Sequence, residues 1–144
     1  MAALSSAAVA DEKLEQLQRI PLFAGLTRRE LSELATLADE VDVGDGQVLT
    51  REGESGHEFF IVMAGRVAVE IGGSRVNELG PGEFLGEIAL IDGKPRTATT
   101  RAVGDTRLLV VGHRAFHQLM ADFPTVQLTV LQALAQRVRR HEGL

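Results

Sequence analysis

One segment of the chain, residues 82–99, carries the side chains best suited to chemistry. Gly86 precedes Glu87 at the start of a predicted helix of about one turn, and the free N–H groups at such a start favour an anion. Pro95 prevents the helix from continuing, and the next residue, Arg96, is a permanent cation with a planar fork of donors that suits phosphate. The segment therefore offers amides, a carboxylate and a guanidinium to a ligand that carries both a phosphate and hydroxyl groups.

This segment closely resembles the phosphate-binding cassette of cyclic nucleotide-binding domains. That cassette has the pattern Gly-Glu-(Leu/Ile/Met)-Ala-Leu, a short loop, and then Pro-Arg-(Thr/Ser/Ala)-Ala. The chain matches the pattern in type and spacing at Gly86, Glu87, Ile88, Ala89, Leu90, Pro95, Arg96, Thr97 and Ala98. The resemblance extends over nearly the whole chain, from about Leu14 to the end.

The resemblance implies a role for each part of the segment. In the family, the glutamate accepts a hydrogen bond from the ribose 2′-hydroxyl, the arginine pairs with the cyclic phosphate, and amides around the short helix complete the site. Those roles fall here to Glu87, to Arg96 and to the backbone of Gly86, Ile88 and Ala89. The implied ligand-binding set also includes Phe84, Leu85, Thr97, Ala98, Ile71 and Arg137.

Taken alone, the two charged residues have simpler interpretations. Glu87 would be a carboxylate that stabilises the helix dipole, and Arg96 would be an exposed turn residue after Pro95. The full cassette favours the ligand-binding roles. A guanidinium that faces the interior costs several kcal/mol unless it is paired, so we expect an anion to meet Arg96.

Thr97 bears on which nucleotide binds. In the family, a threonine at this position can hydrogen-bond the guanine amino group, yet many members with a hydroxyl residue there prefer cyclic AMP. We expect the ligand to be cyclic AMP, with cyclic GMP as the alternative.

Three further positions bear on how the base is held. Arg137 lies in the last predicted helix where some bacterial channel domains of the family carry an arginine over the base, and a cation that suits the helix dipole is the alternative. Leu131 and Leu134 are candidates for an apolar lid, whereas a Trp or Tyr lid is excluded because the chain has neither residue. Ile71, together with Val69 and Val62, lines the base pocket or belongs to the core.

Composition limits the class of protein. The chain has 144 residues, a formal net charge of −5 and no cysteine. The length predicts one domain, the charge argues against general nucleic-acid affinity, and the absence of cysteine excludes disulfides and thiolate sites. The sequence contains no run of the roughly 18 apolar residues that a spanning helix needs, and its start lacks the basic region of a signal peptide. We therefore expect a soluble, cytoplasmic protein.

Helical patterns flank a region with two-residue periodicity. Residues 1–10 are predicted to be a disordered leader, residues 11–40 an N-terminal helix-turn-helix pair, and residues 113–141 two C-terminal helices. Residues 41–112 show short alternating runs separated by glycine turns, which is typical of an antiparallel sandwich or barrel. We predict a mainly β fold, an eight-stranded antiparallel jelly-roll-like β barrel with flanking helices, forming one cyclic nucleotide-binding domain over residues 11–144.

Two local signals mark where helices begin. Thr27 followed three residues later by Glu30 predicts a capping box at the start of the second N-terminal helix. Pro124 is predicted to lie in the first turn of the last helix, where its missing N–H is harmless.

The four histidines raise the rival hypothesis of a metal-dependent enzyme. A jelly roll of the cupin type needs a His-X-His pair and a glutamate on adjacent strands, and the chain contains no such pair. His113 and His117 instead share one helix face without a nearby acidic ligand, which seldom makes a metal site. We therefore predict no catalytic activity, no metal site and no cofactor other than the nucleotide ligand.

The function that this resemblance implies is that of a regulatory sensor. We expect nucleotide binding to change the packing of the flanking helices, which a protein effector would detect. We expect no DNA binding by this chain and no membrane span, and the last helix is a candidate surface for a homodimer.

Because no effector segment follows the last helix, the chain is either a stand-alone sensor, which the leader at Met1 favours, or the regulatory fragment of a channel, kinase or transcription factor. A barrel that has lost nucleotide binding and serves protein interaction is the alternative.

Overall fold

The computed structural model describes residues 6–142, with side chains described for residues 12–140. The helices are α1 (Ser6–Gln18), α2 (Arg28–Ala35), α3 (Glu87–Asp92), α4 (His113–Asp122) and α5 (Pro124–Glu142), with a 3₁₀ helix over Pro21–Phe23. The strands are β1 (Ala38–Val43), β2 (Val48–Thr50), β3 (Glu58–Ile71), β4 (Ser74–Leu79), β5 (Phe84–Leu85) and β6 (Thr99–Gly112). The mainly β, antiparallel architecture with flanking helices agrees with the prediction.

Two long strands form the centre of the sheet. β3 and β6 each have 14 residues and pair antiparallel from Glu58 opposite Gly112 to Glu70 opposite Thr99. β1 and β2 add to β6, and β4 and β5 add to β3. The short strand β5 is the one that leads directly into α3.

The predicted eight-stranded jelly-roll barrel is not confirmed. In the described part of the chain, six strands form one sheet whose main path runs β1-β6-β3-β4 without closing. Each long strand was expected to be two, because Gly65 and Gly104 look like turn residues. They are instead bends within β3 and β6, where positive φ angles of 89° and 72° and register shifts near Gly65 kink the strand without ending it.

The N-terminal helices differ from the prediction at their start. α1 begins at Ser6 and not at residue 11, because the alanine-rich stretch before Asp11 has high helix propensity. Of the predicted leader over residues 1–10, residues 1–5 lie outside the described part of the chain. α1 and α2 are separated by the 3₁₀ helix, and a helix-turn-helix arrangement of this pair stays a prediction.

The predicted helix signals are confirmed. The Thr27 hydroxyl accepts a hydrogen bond from the Glu30 N–H (3.2 Å), and the Glu30 carboxylate accepts one from the Thr27 N–H (3.0 Å). Pro124 is the first residue of α5, and both C-terminal helices are present. No helix within residues 6–142 is long and apolar enough to cross a membrane.

The chain divides into two compact units, each with its own buried residues. One unit contains residues 37–116, and the other combines the helices before residue 37 with the chain from residue 117 onward. In the sheet unit, the Phe59 ring packs between those of Phe84 (centroids 5.6 Å apart) and Phe116 (5.2 Å). The helical unit buries Leu17, Phe23, Leu31, Leu34, Leu119, Phe123, Val126 and Val130.

Glycines with left-handed backbone bound the short helix α3 at both ends. Gly86 is its N-cap with φ 92°, and Gly93 is its C-cap with φ 70°. The predicted helix over residues 87–91 is therefore present, with Glu87 as its first residue. Since an L side chain rarely adopts such φ values, both ends of α3 depend on glycine.

We expect Gly86→Ala to destabilise the protein more than Gly93→Ala. Both changes incur the left-handed penalty of about 1–2 kcal/mol. At Gly93 a Cβ would meet nothing within 4 Å, whereas at Gly86 it would lie 2.7 Å from the Glu58 carbonyl oxygen and 2.8 Å from Nη1 of Arg96. Urea unfolding should show that the free energy of unfolding falls by about 1 kcal/mol in Gly93→Ala and by about 3 kcal/mol in Gly86→Ala. Equal losses would mean that the close approach at Gly86 has no energetic weight.

Candidate functional site

Arg96 is buried although its neighbours in the chain are exposed. Its side chain is 7% exposed, whereas Pro95 and Thr97 lie at the surface. Its main chain pairs with the loop that follows β2: the Arg96 N–H donates to Glu54 O (2.8 Å), and Arg96 O accepts from the Gly53 N–H (2.9 Å). These two hydrogen bonds fix the main chain at Arg96, and its side chain lies inside the protein. The interpretation of Arg96 as an exposed turn residue is therefore wrong.

Two backbone carbonyls hold the guanidinium of Arg96. Nη1 donates to Gly86 O (2.9 Å), and Nη2 donates to Glu58 O (2.7 Å). Gly86 is the N-cap of α3, and Glu58 is the first residue of β3. The cation is thereby fixed beside the start of the short helix.

Glu87 is the second charged group of the site, and its side chain is wholly buried. Its charge acts on the guanidinium: burial lowers the pKa of Arg96, while the negative charges of Glu58 and then Glu87 oppose that shift. Arginine stays protonated in proteins, so the site holds a buried cation next to a buried carboxyl group. Buried charges need polar or charged partners, and Arg96 has both carbonyl acceptors and nearby negative charges.

The remaining cassette residues differ in how far they face solvent. Phe84 and Leu85 pair with β3, opposite Ile61 and Phe60, and their side chains are buried in the core. Ala89 is buried, Gly86, Ile88 and Ala98 are half-buried, and Thr97 is exposed. The structure thus brings together Gly86, Glu87 and Arg96, while the ligand contacts predicted for all of these residues stay predictions.

The candidates for the base site differ in burial. Ile71, the last residue of β3, is 46% exposed and so is not a core residue. Val62 is fully buried in the core, and Val69 is half-buried and packs against it. Arg137 is a half-buried residue of α5, which belongs to the helical unit, and its role over the base stays a prediction.

Glu58 is a residue of the site that the sequence does not reveal. It contributes a backbone carbonyl and a nearby negative charge to the guanidinium. Any residue type can supply a backbone carbonyl acceptor, so the sequence does not indicate this role, which depends on the register of β3.

Among the residues with described side chains, no group of three or more His, Asp or Glu is arranged to hold a metal ion.

Comparison with known proteins finds relatives that contain cyclic nucleotide-binding domains. The family model described as the cyclic nucleotide-binding domain matches residues 40–123. A cyclic nucleotide-gated potassium channel of Rhizobium etli is 36% identical over 118 residues, which are 82% of this chain and 33% of the channel. The chain spans between about a fifth and a third of the length of the channels and kinase regulatory subunits that it matches.

Solved structures agree with this result at the level of the fold. The regulatory domain of Toxoplasma gondii PKA, solved with cAMP, has a TM-score of 0.77 at 25% identity, over 92% of this chain and 53% of that one. The regulatory subunit of a cAMP-independent protein kinase A from Trypanosoma brucei also has a TM-score of 0.77, at 23% identity, over 88% and 46% of the two chains. The second likeness concerns the fold alone.

The family model covers more than half of this chain and includes the whole cassette, so the protein belongs to the cyclic nucleotide-binding domain family.

Proposed function

We propose that this protein is a cytoplasmic sensor module that binds a cyclic nucleotide, with cyclic AMP preferred, and has no catalytic activity of its own. The observation that carries the proposal is the buried guanidinium of Arg96, held beside the start of α3 and next to the buried side chain of Glu87. A cyclic nucleotide offers one negative charge and a ribose hydroxyl, which are complementary to these two groups.

The phosphate would pair with N–H groups of Arg96 other than the two that bind carbonyls of the described residues. A guanidinium has five N–H donors, and two are directed to the carbonyls of Gly86 and Glu58. Three remain for the cyclic phosphate, and charge-assisted hydrogen bonds of this kind are among the strongest in proteins. The phosphate can therefore bind without displacing either carbonyl.

The ribose would be recognised by Glu87. An ionised carboxylate only accepts hydrogen bonds, and a ribose 2′-hydroxyl can donate one. The α3 backbone fixes Glu87 one residue after Gly86, whose carbonyl already holds Arg96. The backbone at Gly86 and Glu87 therefore positions both Glu87 and Arg96. Glu87 would bind the ribose hydroxyl and Arg96 would bind the phosphate of the same nucleotide.

Signalling would then require the helices to respond to the nucleotide. The N-terminal helices and the chain from residue 117 form a compact unit of their own, which supports a helical part that repacks as a body. The nucleotide can shift this equilibrium only by its difference in affinity for the two arrangements. A protein effector that contacts these helices would detect the change.

The alternative function is a protein-interaction domain of the same fold that binds no nucleotide. The carbonyls of Gly86 and Glu58 already bind the guanidinium, so burial of Arg96 does not by itself require a phosphate. A thermal-shift measurement separates the two functions, because a ligand at 100 times its Kd stabilises the folded state by about 2.7 kcal/mol. We expect cyclic AMP to raise the melting temperature, and no shift with either cyclic nucleotide would favour the interaction domain.

We expect Arg96→Ala to weaken cyclic AMP binding by at least ~2 kcal/mol, about 30-fold, because the phosphate loses a charge-assisted partner. Isothermal titration calorimetry measures the change. Arg107→Ala is the matched control, since Arg107 forms a surface ion pair with Asp42 (2.9 Å) in which both side chains are largely exposed. Near-normal affinity of Arg96→Ala would remove Arg96 from the site.

We expect wild-type protein to prefer cyclic AMP in a competition assay, and Thr97→Ala to change both affinities by less than about threefold. Thr97 is exposed, so the substitution should leave the core intact. Thr36→Ala, at the C-cap of α2, is a control remote in sequence. A selective loss of cyclic GMP binding in Thr97→Ala would overturn the preference and identify Thr97 as a guanine contact.

We further propose that α5 presents a surface to a second copy of the chain. Leu128 (56% exposed), Leu131 (54%), Ala135 and Val138 (45%) follow one another at intervals of three, four and three residues. This spacing is that of the apolar seam between two paired helices, and a two-fold pairing lets one stripe cover an identical one.

We expect light scattering to detect a concentration-dependent dimer that Leu131→Glu abolishes, because a charge would enter the apolar seam. Gln136→Glu introduces the same charge at an exposed position outside the stripe and should leave the dimer intact. A protein that stays monomeric at all concentrations, or a Leu131→Glu variant that still dimerises, would contradict the proposed surface.

A further inference from the structure

The loop before β3 holds Arg96 along its whole length. Gly53 and Glu54 bind its main chain, through hydrogen bonds of 2.9 and 2.8 Å, and Glu58 O binds Nη2 at its far end. Between them, Gly56 lies directly against the middle of the side chain. A Cβ built on Gly56 would overlap Nε and Cζ of Arg96 and would lie 2.7 Å from Cδ.

Gly56 is not required by its own backbone. Unlike Gly53, whose φ is 84°, Gly56 has a φ outside the left-handed region, so its φ does not call for glycine. The atoms that would meet its Cβ most closely all belong to Arg96. The absence of a side chain at position 56 therefore serves the guanidinium and not the course of the loop.

We propose that Gly56 is a positioning residue for the nucleotide, and that it acts only through Arg96. The main chain of Arg96 is tied to Gly53 and Glu54, so it cannot retreat from a methyl group at position 56. The side chain must then turn away, and Nη1 and Nη2 leave the carbonyls of Gly86 and Glu58. The guanidinium of Arg96 is still present in this variant, but it no longer lies where a phosphate would bind. The affinity part of this inference rests on the proposed function.

We expect Gly56→Ala to weaken cyclic AMP binding at least tenfold in isothermal titration calorimetry. Gly44→Ala is the matched control, because Gly44 also lacks a left-handed φ and a Cβ there would meet nothing within 4 Å. In an Arg96→Ala background, Gly56→Ala should cause no further loss of affinity. Wild-type affinity in Gly56→Ala, or an equal additional loss in the Arg96→Ala background, would overturn the proposal.

A second readout needs no ligand, so it separates this inference from the proposed function. Gly56→Ala should lower the melting temperature of the wild-type protein by about 2–5 °C and leave that of Arg96→Ala unchanged, since the obstructing side chain is gone. If Gly56→Ala alone fails to fold, folding of the double variant would support the same conclusion. Equal destabilisation in both backgrounds, or a double variant that also fails to fold while Arg96→Ala folds, would overturn it. If the wild type binds neither cyclic nucleotide, the proposed function fails, while this coupling still tests the placement of Arg96 by Gly56.

Discussion

The burial of one guanidinium constrains the chemistry and geometry of the sheet unit around it. A buried cation is destabilising by several kcal/mol unless acceptors and opposite charges surround it. The carbonyls of Gly86 and Glu58 supply the acceptors, and Glu58 and Glu87 supply the charges. Both carbonyls belong to the backbone, so their positions depend on strand register. The pairing of Phe60 with Leu85 brings the start of β3 beside the start of α3 and so places both acceptors at the same cation.

Contacts within the chain hold the Arg96 side chain in one place. Ordering a free arginine side chain costs up to about 2 kcal/mol of conformational entropy. In this protein the side chain is ordered by folding, so ligand binding would not have to order it. Binding energy that would otherwise order the side chain remains for affinity, which is the advantage of preorganisation. It also follows that the response to a ligand has to come from elsewhere. In the proposed function this response comes from the helical unit, which packs as a compact unit of its own.

The sequence predicted the local features of the site and missed those that depend on distant backbone. The start of α3 at Glu87 follows from Gly86, and its end from Gly93, so both were predictable within the cassette. The resemblance implied that Arg96 faces inward, but the sequence did not indicate its bond to Glu58, which spans 38 positions. The strand count was wrong for a related reason. Gly65 approaches Asp105 and Thr106 on β6, so it bends a strand that continues on both sides.

The charges favour nucleotide binding over a domain that serves only protein interaction. The overall fold does not decide between them, because a regulatory domain solved with cAMP and the regulatory subunit of a cAMP-independent protein kinase A both share it. Stability alone would not favour these charges, since apolar residues of similar size often replace a buried ion pair without loss. In this chain the cation occupies a closely fitted place between Gly56 and Gly86, and the carboxyl group of Glu87 is wholly buried next to it. A sheet that needed only to be stable could fill the same space with leucine, whereas a site for a sugar phosphate needs both charges where they are.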